Sequence, residues 1–246
     1  MNFERLAWDS EFFGFGVGRL DGPVESNASV RDALAAARKQ GLRLVYSQCP
    51  GQDERGHRIA MACGGRFVDA KRTYSLPLPP SPPFRAIDAI EPVRDADPCT
   101  RRQLRRLAWQ AAAFSRYRID PDMPPGSWRR MYAIWIGQSL HGERADAVLA
   151  HGAVAGDRSQ LAGMVTVSRS GDEGSIGLFA VDARWRRRGV GNQLLRAAAA
   201  WCAERHCTRL SVVTQGANAG ACRAYERAGY ALSNEIHVFH HWSRQS

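Results

Sequence analysis

Lysine is almost missing from this 246-residue chain. Lys39 and Lys71 are the only two, although lysine and arginine together number 34. Arginine has replaced lysine throughout, so the net charge of +10 and the pI near 9.9 reflect composition rather than a basic stripe. With no lysine/arginine tail and no nucleic-acid module, binding to nucleic acid is not expected. Long apolar runs are missing too. None approaches the ~20 residues of a membrane span. The opening "MNFERLAWDSEFF" carries acids where a secretory leader has a basic and then an apolar segment. A cytoplasmic protein with no membrane partner is expected. The six cysteines form no C-x-x-C pair, and His240-His241 is the only histidine doublet. Neither a disulfide framework nor a metal site is expected. The 44% hydrophobic content suits one large domain or two small ones.

Proline is concentrated in "LPLPPSPPF", where Pro77, Pro79, Pro80, Pro82 and Pro83 exclude helix and favour extended polyproline. Residues 77–84 therefore read as a linker between a small N-terminal α/β domain, 1–76, and a larger domain, 85–246. The first segment predicts a helix over Asn27–Gln40 capped by Ser26 or Asn27, and strands over Leu42–Ser47 and Arg66–Leu78. About eighty residues are marginal alone, so this segment should pack on the second. No repeat is visible by eye.

Beyond the linker, "AIDAIEPVRDADP" reads as a strand and turn, and a helix starts at Asp97-Pro98. A proline-rich loop, "SRYRIDPDMPPGS", leads to a second helix, "WRRMYAIWIGQSL". Strands follow over Ala147–Val154 and Leu161–Arg169, with a hairpin turn at 170–174. The stretch "GLFAVDARWRRRGVGNQLLRAAAAWCAER" organises the rest: an apolar strand over Ile176–Val181, an Arg/Gly loop, then a helix. That helix carries Val190, Leu194, Ala198 and Cys202 on one face. A strand over Arg209–Gln215, a helix over Asn218–Ala228 and a final strand over Tyr230–Trp242 complete an α/β (α+β) order. Its central strand–helix–strand unit should be a parallel crossover.

A glycine-bearing loop at a helix start exposes unpaired N–H groups at an electropositive end, which suits phosphate or pyrophosphate. The spacing Arg186-x-x-Gly189-x-Gly191 is not the dinucleotide fingerprint, because Leu194 stands where a third glycine belongs, and it is not a P-loop. It resembles the pyrophosphate loop of the GCN5-related N-acetyltransferases. The preceding "LFAVDARWR" and the later "NAGACRAYERAGY" resemble that family's motifs as well. The blocks "AWDSEFFGFGVGRL", "GGRFVDAKRTYSLPL", "AFSRYRIDP" and "WRRMYAIWI" are similar to a narrower family, the dTDP-fucosamine acetyltransferases of surface-antigen synthesis. Together with "NAGACRAYERAGY" and the central loop, these blocks cover most of the chain from Leu6 to Trp242.

The resemblance implies a GNAT fold with a mixed, mostly antiparallel twisted sheet and a smaller N-terminal domain. It implies acetyl-CoA as cosubstrate, a nucleotide-linked 4-amino-4,6-dideoxyhexose as acceptor, and a homodimer. Amides from Arg187 to Asn192 (Arg187, Arg188, Gly189, Val190, Gly191, Asn192) would hold the pyrophosphate, with charge from Arg186 or Arg188. The backbone of Phe179, Ala180 and Val181 would pair with pantetheine, and Asn218 would cap its helix and touch the same arm. Tyr225, seven residues on and so on the same helix face, matches the family tyrosine that protonates the CoA thiolate. The base is open. The central strand has no carboxylate, Asp172 and Glu173 read as a solvated turn, and Asp69 stands where the narrower family has a glutamate. A water relay from Asp69 or from His237 would also serve. By resemblance, Ser115, Arg116, Tyr117 and Arg118 would meet the sugar nucleotide. Two rivals remain: an acetyltransferase for a protein or small-molecule amine, and a non-catalytic CoA-binding regulatory domain.

Overall fold

The computed structural model describes residues 1–79, 89–93, 96–154 and 157–243. The remainder of the expected 77–84 linker, from residue 80 on, lies outside the described residues. Among the described residues, ten strands form one sheet in the order β1-β2-β3-β10-β4-β9-β8-β7-β6-β5, the last being the three-residue strand Ile90–Pro92. Its neighbours are antiparallel except at β2–β3 and β8–β9, the mixed, mostly antiparallel α/β architecture expected.

The second half follows the sequence closely. Helix α4 (Pro98–Ala111) starts where Asp97 accepts from the Cys99 and Thr100 amides with Pro98 in the first turn. Helix α6 (Ser127–Leu140) and strands β6 (Ala147–Val154), β7 (Asp157–Ser170) and β8 (Glu173–Val181) come next. Helix α7 (Val190–Ala203) then crosses to β9 (Arg209–Gln215), which runs parallel to β8. The four-residue stripe on α7 is its buried face, Val190 through Cys202 being 0–4% exposed. Helix α8 (Ala219–Arg227) and strand β10 (Ala231–Trp242) close the chain. The loop after α4 holds one turn not expected from its sequence, α5 (Arg116–Ile119), capped by Ser115.

The first half contains more than its sequence announces. Besides α2 (Asn27–Lys39), β3 (Leu42–Pro50) and β4 (Arg66–Pro77), it forms β1 (Asn2–Arg5), α1 (Ala7–Phe13), β2 (Gly16–Asp21) and α3 (Glu54–Ala62). The unit β2-α2-β3-α3-β4 has the order and pairing senses of β8-α7-β9-α8-β10, so the chain carries a topological repeat that its residues do not reveal. The two units interlock. Strand β4 lies between β9 and β10, and β10 lies between β4 and β3. The segments on either side of 77–84 therefore share one sheet.

Alternation along the strands divides the core. Leu44 and Tyr46 join Leu104, Leu107 and Met131 beneath α1 and α4–α6. Val45 packs with Leu34 and Ile59 of α2 and α3, while Tyr74, Leu194 and Tyr225 fill the layer under α7 and α8.

Candidate active site

The pairing of β8 with β9 runs from Glu173↔Arg209 to Ile176↔Val212 and stops. Beyond it the strands diverge, while β8 stays paired to β7 as far as Gly163↔Val181. The backbone of Gly177–Val181 thus faces a wedge on its β9 side. At the mouth of that wedge lies the loop into α7. Arg187 has φ +60° and the N-cap Gly189 φ +83°, left-handed conformations that turn successive amides the same way. No side chain caps α7, so its first-turn amides remain free for a ligand. Arg186 is tied back to the Val181 carbonyl at 3.1 Å and to Gln110 at 3.2 Å, and Arg188 stacks on Trp185.

Tyr225 lies in the α7/α8 layer with its ring centroid 5.7 Å from those of both Phe179 and Tyr74. Its hydroxyl has no hydrogen bond among the described residues, and it is not one of the sealed, unpartnered polar atoms. Burial pushes the phenol pKa up, with a contribution from Cys222, which keeps the proton on the oxygen. Asn218 caps α8 by accepting from the Ala221 amide at 3.2 Å.

The opposite face of the sheet holds a second group. Asp69 on β4 is 7% exposed; burial raises its carboxyl pKa to about 6 against the lowering effect of Arg116 and Lys71. The topology thus brings Asp69 to Arg116, two of the residues singled out above. Arg116 lies over the rings of Tyr117 (4.4 Å) and Tyr46 (5.2 Å) and donates to the Tyr117 hydroxyl. It forms no salt bridge among the described residues, and its Nε–H is sealed without an acceptor. Ser115 and Tyr117 are buried, whereas Arg118 is exposed and stacks on Trp128 at 4.9 Å.

The alternative bases lie elsewhere. Asp172 and Glu173 sit at the far end of β8 from the loop, engaged with Thr208 (3.0 Å) and Arg209 (3.5 Å). His237 faces His57 at 3.0 Å and Glu235 at 3.3 Å on the α3 side.

Several members of the site had no signal in their spacing. Tyr46 donates to Asp9 of the WDSEFFG block at 3.0 Å. Asp120, whose side chain is sealed, accepts from His240 (2.6 Å), Arg66 (2.5 Å) and Trp242 (2.9 Å). At the β7–β8 bulge the Thr166 hydroxyl accepts from the Leu178 amide at 2.8 Å. Asp9, Asp120 and Arg66 could have been flagged through their blocks.

A free-amide loop at the mouth of a strand wedge suits a phosphate-bearing ligand, and a protonated phenol packs on Phe179 of the strand that borders it. Residues 105–230 match the model of the acetyltransferase (GNAT) family, and the chain belongs to that family. It is accordingly an acyltransferase. It is 28% identical over 229 residues to the dTDP-fucosamine acetyltransferase of Escherichia coli O6:H1, covering 93% of this chain and 92% of that protein. Among solved structures, a GCN5-related N-acetyltransferase from Sphaerobacter thermophilus superposes with TM-score 0.67 at 16% identity. That match covers 99% of this chain and 76% of the other. A tandem GNAT protein of the clavulanic acid pathway gives 0.59 at 16% identity, covering 94% and 76%. Likenesses at this identity speak for the fold.

Proposed function

We propose that this enzyme transfers an acetyl group from acetyl-CoA to the amine of a nucleotide-linked 4-amino-4,6-dideoxyhexose. The observation that carries the proposal is the buried Asp69 carboxyl within the electrostatic reach of Arg116. A carboxylate with a pKa of about 6 is largely ionised at neutral pH and matched to deprotonating an amine. The unpaired guanidinium beside it suits an anionic acceptor. The similarity to the E. coli enzyme along almost the whole chain supports the amino-sugar acceptor.

In this reading the amides of 187–192 hold the CoA pyrophosphate, and the backbone of Phe179, Ala180 and Val181 pairs with pantetheine, bringing the thioester into the wedge. Asn218 touches the same arm. The acceptor amine, relieved of a proton by Asp69 directly or through one water, attacks the thioester carbonyl. The tetrahedral adduct collapses with cleavage of the C–S bond, and Tyr225 donates its proton to the departing thiolate. The tyrosinate regains a proton from solvent and Asp69 gives up the one it took. Ser115, Arg116, Tyr117 and Arg118 form the acceptor side. A cytoplasmic homodimer serving surface-polysaccharide synthesis belongs to the same proposal.

The test is thiol release from acetyl-CoA with dTDP-4-amino-4,6-dideoxygalactose, its gluco epimer, UDP-linked analogues, a peptide amine and an aminoglycoside. Fast turnover confined to nucleotide-linked amino sugars is expected. Turnover with peptide or aminoglycoside alone sinks the sugar reading.

A further inference from the structure

A groove of about 490 Å³ runs between α4, the start of α6 and the segment after β8, a volume within the range of small-ligand sites. Arg106, Arg118, Arg129, Arg186, Trp109 and Trp128 line it. Its single wall carboxylate among the described residues, Asp182, is engaged by a fifth lining arginine, Arg184, at 2.9 Å and by Gln110 at 3.3 Å. None of the other four arginines has a carboxylate partner among the described residues. They are not loose. Arg129 stacks against Trp128 (5.0 Å) and Trp109 (5.9 Å), and Arg118 against Trp128 (4.9 Å). Trp109 in turn donates its indole N–H to the Arg129 carbonyl at 2.9 Å. A guanidinium flat on an indole keeps its N–H edges free and pre-aimed, which suits phosphate oxygens. The indoles add flat surface for a base.

We infer that this groove binds the nucleoside diphosphate portion of the acceptor, with Arg118, Arg129 and Arg106 on its phosphates and the two indoles against its base. The inference rests on the nucleotide-linked reading above and gives it a location. Two phosphate sources are conceivable, the acceptor's diphosphate and the 3′-phosphate of CoA. The groove lies on the α4–α6 side of the sheet, and α5 sends Arg116 inward towards Asp69 while presenting Arg118 to the groove. Those placements favour the acceptor.

The experiment is calorimetric titration of the intact protein with dTDP and UDP, without acetyl-CoA. It is repeated on the Arg118→Ala/Arg129→Ala double variant and on Trp128→Ala, with Trp128→Phe as the variant that keeps a ring. Acetyl-CoA and dephospho-CoA are titrated on the same proteins. At least one nucleotide should bind the wild type with an affinity that falls as salt rises. The double variant and Trp128→Ala should each weaken it by about tenfold or more, Trp128→Phe less, with acetyl-CoA affinity unchanged. Absence of nucleotide binding in the wild type, or equal binding in the variants, overturns the inference. So does a loss of acetyl-CoA affinity not mirrored by dephospho-CoA, which assigns the groove to the 3′-phosphate. Nucleotide bound here without transfer to any nucleotide-linked amino sugar leaves the groove standing and removes the proposed function. Transfer to such a sugar, indifferent to these variants, does the reverse.

Discussion

Asp120 and His240 lie 120 positions apart in the chain and 2.6 Å apart in the fold, the His240 Nδ1–H donating to the carboxylate. Burial works to raise the Asp120 pKa, but His240, Trp242 and the Asp122 amide outweigh it and hold the carboxyl below its usual range. Burial also keeps His240 neutral near pH 7, so Arg66 supplies the balancing charge. This contact joins β4, the end of α5 and β10, and so fastens the acceptor-side loop to both halves of the sheet.

Replacing Asp120 with alanine should therefore cost about 3–5 kcal/mol of stability, because it strands a buried network. A folded pKa below the unfolded one contributes stability that is present above pH ~4 and is lost as the pH falls below that towards the depressed folded value. Chemical denaturation at pH 7 and at about pH 3 checks this: the gap between wild type and Asp120→Ala should narrow at the lower pH.

Asp69 behaves oppositely. Its folded pKa of about 6 exceeds the unfolded value, so its ionisation costs stability as pH rises between ~4 and 6. Asp69→Asn should be at least as heat-stable as the wild type at pH 7 while losing about 10²–10³-fold in kcat. The wild-type rate should fall on the acid side near pH 6, and that limb should vanish in the variant. A variant that is both unstable and active would remove Asp69 from the base role.

Tyr225→Phe keeps the ring that packs on Phe179 and Tyr74 and deletes only the hydroxyl. Thermal stability should change little and the acetyl-CoA KM should hold. Turnover should drop about 10–100-fold if the phenol protonates the thiolate. An unchanged kcat would leave Tyr225 as a packing residue.

Gly189 and Gly191 separate fold from ligand. Gly189, at φ +83°, should lose about 1 kcal/mol on conversion to alanine. A Cβ on Gly191 would meet Phe179 at 3.5 Å and Val181 at 3.6 Å, ordinary contact. Gly191→Ala should fold normally, and a raised acetyl-CoA KM at unchanged melting temperature would report a close-fitting ligand. Normal acetyl-CoA kinetics would place the cosubstrate elsewhere.

Local chemistry explains what could be read directly. The apolar stripe of α7, the Asp97-Pro98 start of α4, the Asn218 cap and the Arg/Gly loop all act within a few residues of themselves, and each lies where its spacing puts it. Short elements were harder. Helix α3 spans only nine residues, and α1 is seven residues inside an aromatic block, both too short for periodicity to speak.

The chain by itself determined its class, the free-amide loop and the helix that carries Tyr225, because turn chemistry and helical periodicity are properties of neighbours. Only the tertiary structure decided that β4 would slip between β9 and β10, and that Asp69 would thereby meet Arg116. It alone placed two indoles and five arginines around one groove. Strand pairing across more than a hundred residues depends on which edges and faces find mutual burial, and no local pattern encodes that choice.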